Sequence, residues 1–137
     1  MYINLGAAYS NLGDHQKQLE FNLKALAIRE KIRLQSGNPL LATSYNNTGY
    51  AYAKLRQLPE AKTYFEKYEK INNSGRVFRN WAMYYALQND TPRALENLQK
   101  AVELGYDDLK WIETDDSIES IRGEEAYKEL VEHLKKR

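Results

Sequence analysis

Residues 45–71 read YNNTGYAYAKLRQLPEAKTYFEKYEKI, and the fold turns on how this stretch divides. Tyr45, Thr48, Gly49, Tyr52 and Leu55 fall on one face at helical spacing. RQLPE interrupts the pattern, and Pro59 suits the first turn of a following helix, where its missing N–H would be unbonded anyway. A helical hairpin results. In its first arm two asparagines, Asn46 and Asn47, stand side by side. Each costs a helix interior about 0.6 kcal/mol relative to alanine, because the carboxamide competes for the backbone. Residues kept against their propensity raise the question of what the amides hold.

The pattern recurs. YINLGAAYSNLGDHQKQLEFNLKALAI precedes it by 43 residues, and FRNWAMYYALQNDTPRALENLQKAVEL follows it by 33. The small residue of the first helix returns as Gly6, Gly49 and Ala82, where it lets the paired helix approach, and the aromatic three places on returns as Tyr9, Tyr52 and Tyr85. The second helix shows Gln18, Ala61 and Ala94, then Ala25, Tyr68 and Ala101. The first hairpin turns through Gly13 and Asp14. In the third, Asp90 or Thr91 caps the second helix and Pro92 enters its first turn. The periodic tyrosines read as core packing.

These residues resemble the tetratricopeptide repeat (TPR) family over about 100 of the 137 residues. The longer first offset, with its extension REKIRLQSGNP and a stop at Gly37 and Pro39, resembles the units of kinesin light chains. Gln18, Asn22 and Tyr68 depart from the family pattern, where small or bulky apolar residues are usual, and loosen the expected packing there. The resemblance implies an all-α array of three hairpins (1–38, 39–73 and 74–104), a right-handed superhelix, and helices at 105–137 that close it. That last segment resembles the closing piece of some bacterial TPR proteins. Tyr127, Leu130, Val131 and Leu134 form an apolar stripe on a helix starting near Gly123, preceded by a compact connection holding Trp111, Ile112, Ile118 and Ile121. The amino end shows no comparable cover. This predicts further repeats there, or pairing with a second molecule.

In such arrays the first helices line a concave groove. Their ligand-facing positions would be Thr43, Asn47, Tyr50 and Lys54 in the middle hairpin, Arg76, Asn80, Met83 and Leu87 in the third, and Asn4, Ala7 and Asn11 in the first. Asn4, Asn47 and Asn80 therefore recur in register. A carboxamide donates and accepts, so it can pair with the main chain of an extended peptide, while Asn46, Tyr50, Lys54, Arg76, Arg79 and Met83 would supply selectivity. The bland reading is that each Asn sits on a solvated face or bonds a neighbouring helix. The chaperone-tail clamp of the family is matched only by Asn47 and Arg76, because Ile3, Ala7 and Asn80 stand where it needs other residues. The cations favour a partly acidic ligand, and the chain's own acidic tail is one candidate occupant.

Composition excludes much else. The chain has no cysteine, so thiolate chemistry, disulfides and Cys-ligated zinc are absent. His15 and His133 have no metal partner at useful spacing, and no calcium loop, phosphate loop or nucleophile elbow appears. No apolar run approaches the roughly 20 residues of a membrane span, and the start lacks a signal-peptide pattern. Residues 1–101 hold 14 Lys/Arg against 8 Asp/Glu, and residues 102–137 hold 6 against 11. That asymmetry is too small to indicate nucleic acid. The sequence thus predicts a non-catalytic, cytoplasmic scaffold that binds a protein or peptide, without cofactor, metal, nucleic acid or membrane. The alternative is self-association, as a homodimer, through the uncovered first repeat.

Overall fold

The computed structural model describes residues 14–32 and 39–137. The expectations for Asn4, Gly6, Tyr9, Gly13 and Gly37 lie outside the described residues. The elements are α1 (His15–Ile32), α2 (Pro39–Lys54), α3 (Leu58–Ile71), α4 (Gly75–Leu87), α5 (Thr91–Glu103), α6 (Leu109–Thr114), a 3-10 helix (Asp116–Ile121) and α7 (Glu125–Lys135). No strand occurs among the described residues. The chain divides into two compact units, Met1–Asn73 and Ser74–Arg137.

In the first unit α1 begins at Asp14, whose carboxylate accepts from the Lys17 N–H at 3.0 Å and satisfies one of the open donors of a helix start. The buried stripe Gln18, Leu19, Asn22, Ala25 and Leu26 lies on α1, which packs on α2. Arg29 ties the two together, donating to the Leu40 carbonyl at 3.2 Å and to Ser44 Oγ at 2.9 Å. The Tyr45 hydroxyl donates to Glu30 Oε2 at 2.9 Å.

The hairpin turns expected at Pro59 and Pro92 are alike. Arg56 (φ 63°) and Asn89 (φ 60°) take the left-handed conformation at equivalent places. The N–H of Gln57 reaches the Tyr52 carbonyl, and that of Asp90 the Tyr85 carbonyl, both at 2.9 Å. Asparagine tolerates this conformation, whereas arginine adopts it at a steric cost. Asp90 is the cap, accepting from the Arg93 N–H at 3.3 Å, with Pro92 in the first turn of α5.

Close approach within the second hairpin rests on Gly49. A Cβ there would lie 2.6 Å from Phe65 Cδ1 and 3.2 Å from Tyr64 Cβ. The phenyl ring fills the notch that the glycine leaves and is 1% exposed. In the third hairpin Ala82 and Leu98 occupy these places, both fully buried; a methyl added on one helix goes with a smaller side chain on the other. In the first hairpin Asn22 takes the position of Phe65. It is 0% exposed, and neither carboxamide atom has a hydrogen-bond partner among the described residues. An unsatisfied buried amide costs about 1–3 kcal/mol, so the departure from the apolar pattern marks a weak point in that unit.

In the second unit the segment after the third hairpin keeps the repeat spacing. Tyr127, Val131 and Leu134 follow Ala94, Leu98 and Ala101 by 33 residues, and all six are buried. Residues 109–134 are thus a degenerate fourth hairpin. Its first arm is split at Asp115 (φ −71°, ψ 131°) into α6 and the 3-10 helix, and Asp115 caps the second piece by accepting from the Ser117 N–H at 2.9 Å. Ile112, Ile118 and Ile121 are completely buried. The Tyr127 hydroxyl donates to the Ile112 carbonyl at 2.9 Å, as does Arg122 NH2 at 3.3 Å. These bonds satisfy a carbonyl that the broken helix leaves open.

The notch predicts a coupled pair. Gly49→Ala gains about 1 kcal/mol of helix propensity but overpacks a filled site at about 1–3 kcal/mol, so it should lower stability. Gly49→Ala with Phe65→Leu reproduces the pairing of the third hairpin. Denaturant unfolding should show the double variant losing at least about 1 kcal/mol less than the sum of the singles.

Candidate functional site

The proposed ligand residues fall into two sets. Asn46, Asn47, Tyr50 and Lys54 lie on α2 in the first unit, and Arg76, Arg79, Asn80 and Met83 on α4 in the second.

On α2 the spacing sends adjacent residues to different environments. Asn46 is 7% exposed and already has an interaction of its own, which makes it part of the interior. Asn47, one residue on, is half-buried and has no hydrogen-bond partner among the described residues. Tyr50 and Lys54 are also half-buried and engaged within the chain. Lys54 ends the helix, where a cation suits the negative end of the dipole. Of this group, Asn47 is the one whose carboxamide makes no hydrogen bond among the described residues.

On α4 the positions equivalent to Asn46, Asn47 and Tyr50 are Arg79, Asn80 and Met83, and they are sealed. Asn80 is 1% and Met83 0% exposed. Arg79 Nε donates to Asn80 Oδ1 at 3.0 Å, and its NH1 donates to the Tyr106 hydroxyl at 3.4 Å. The guanidinium carbon stands 4.9 Å from the centre of the Trp111 ring and 5.5 Å from that of Tyr106. These two rings meet edge to face, with centroids 6.1 Å apart. A planar cation against two aromatic faces, bonded in its own plane, is a favourable way to bury a charge. Burial raises the Tyr106 phenol above its ordinary value, and the neighbouring Arg79 charge offsets part of that rise. Only Arg76, in the first turn of α4, is exposed. The expectation that Arg79, Asn80 and Met83 are ligand-facing therefore meets a physical obstacle: all three are buried, with Tyr106 and Trp111 against the Arg79 guanidinium and Arg79 bonded to Asn80.

Tyr106 and Trp111 carry no local motif and gave no sign of this role in the sequence. The aromatic cluster of the first unit is half-buried and packs within the chain. Tyr64 stacks on Tyr52 at 5.8 Å and tilts against Tyr45 at 6.2 Å, with Lys67 over the Tyr45 and Tyr64 rings. Burial, and then the bond to Glu30, push the Tyr45 phenol up to about 12.

No group of residues suited to hold a metal ion occurs among the described residues, and no described helix is long and apolar enough to cross a membrane.

The Arg79 arrangement has a direct test. Arg79→Lys keeps the charge but loses the plane and the in-plane bonds, and should destabilise the chain by about 1–3 kcal/mol in denaturant unfolding. A residue serving only a ligand would leave stability unchanged.

A search of the curated proteins found no match to this chain. A sequence model of the family described as tetratricopeptide repeat matches residues 1–74, more than half of the 137. That match, the helical hairpins and the interlocked small and large side chains agree: the chain belongs to the tetratricopeptide repeat family.

Proposed function

We propose that the chain is a scaffold that captures a partner protein through an extended, partly acidic segment, and that in the described residues the face of α2 bearing Asn47, Tyr50 and Lys54 is where the segment lies. Tetratricopeptide repeats generally mediate protein–protein interactions and are typically non-catalytic. The observation that carries the reading is the carboxamide of Asn47, half-buried and without a hydrogen bond among the described residues, whose one-residue neighbour and whose repeat counterpart are both buried. A donor and an acceptor on one side chain match a peptide unit. Lys54 supplies the positive charge that selects for acid. Arg79, Asn80 and Met83 are left out of this reading, because all three are buried, Arg79 against the Tyr106 and Trp111 rings.

Asn47→Ala and Asn80→Ala should behave oppositely. In an extended-peptide library screen, Asn47→Ala should weaken the selected peptides by about 1–3 kcal/mol through two lost bonds, with an unchanged unfolding midpoint. Asn80→Ala should lower the midpoint by removing the acceptor of Arg79. Undiminished binding by folded Asn47→Ala would contradict the reading. A chain that binds no peptide but grows in size with concentration would favour self-association instead.

A further inference from the structure

The second unit has a cavity of about 300 Å³ between α5 and α7, lined by none of the residues discussed as ligand-facing above. Leu95 and Val102 of α5 and Leu130 of α7 form its apolar part; Val102 is buried and the two leucines half-buried. Glu103 and Glu129, both exposed, stand on its rim, one from each helix. Among the described residues neither carboxylate enters an ion pair or a side-chain hydrogen bond. Nearby acids are used differently: Lys135 reaches Glu113 at 3.2 Å, and Arg93 reaches Asp90 at 3.4 Å.

Two features identify the occupant. The first is charge. The cavity lining carries two carboxylates, Glu103 and Glu129, against one arginine, Arg137. It lies within the acid-rich part of the chain, where residues 102–137 hold 11 Asp/Glu against 6 Lys/Arg. Such a field draws a cationic partner. The second is size. The volume is at the low end for ligand sites, enough for one or two side chains projecting from a surface rather than for a whole element. A seam between two helices accepts a third by taking its side chains into the groove. A lysine or arginine can lay its aliphatic stem on such an apolar floor while its head stays at the charged rim.

We propose that this cavity is a docking site for a short amphipathic helix of a partner protein, which presents an apolar side chain to Leu95, Val102 and Leu130 and, one turn away, a lysine or arginine to Glu103 and Glu129. It is a second recognition surface, independent of the α2 face and opposite to it in charge preference.

The test uses the full chain and a fluorescent helical peptide carrying leucine and arginine four residues apart, beside a control with glutamate for arginine. The arginine peptide should bind and the control should not. Glu103→Lys with Glu129→Lys changes two exposed residues and should keep the unfolding midpoint. It should weaken the arginine peptide at least tenfold and admit the glutamate peptide, whereas Asn47→Ala should leave both results unchanged. Equal binding of the two peptides, no binding of either, or indifference to the double charge reversal would overturn the proposal. So would concentration-dependent self-association abolished by the same reversal, which would make a second copy the occupant.

Discussion

The phenyl ring of Phe65 lies where Gly49 has no side chain, and the second hairpin depends on that contact. Two helices joined by a turn as short as that at Arg56 must pack closely, and at this separation a methyl on Gly49 would overlap the ring. Glycine is unfavourable in a helix interior by about 1 kcal/mol relative to alanine, and the loss is offset by burying the whole ring, a side chain worth about 1.5–3 kcal/mol on transfer from water. Ala82 with Leu98 is a second solution to the same fit. Asn22, in the place of Phe65, is a poor one.

The same 33-residue spacing organises the end of the chain. Tyr127, Val131 and Leu134 bury themselves at the repeat's own positions, although the helix that would precede them is broken at Asp115. The packing of this segment has a consequence for the proposed site. The segment after the third hairpin brings Tyr106 and Trp111 over Arg79, and Arg79, Asn80 and Met83, the α4 counterparts of the proposed ligand positions on α2, are interior. Positions that repeat in the sequence thus differ in their surroundings, with Asn47 half-buried and its counterpart Asn80 buried and holding an arginine in place.

The hairpins were legible because their signals are local: helical spacing in residues 45–55, Pro59 and Pro92 in first turns, Asp90 as a cap. The fourth hairpin was not recognised as a repeat, since its small and aromatic positions are filled by other apolar residues and the paired acids at Asp115 and Asp116 hide its first arm. The expected start near Gly123 was close to the observed Glu125. For the site, register alone correctly grouped Asn47 with Asn80 but could not give their exposure. That depends on the surrounding fold: Asn80 holds Arg79, which packs on Tyr106 and Trp111, residues 27 and 32 places beyond Arg79 in the chain. Polar residues at Gln18 and Asn22 were visible as departures, and their burial follows from the neighbours rather than from their own chemistry.

The central claim is that equivalent asparagines have opposite surroundings. Side-chain amide resonances in an NMR spectrum, recorded with a soluble paramagnetic agent, test it directly. The Asn47 amide signals should be strongly attenuated while those of Asn80 persist. Equal attenuation of both, or loss of Asn80 with Asn47 protected, would contradict the account.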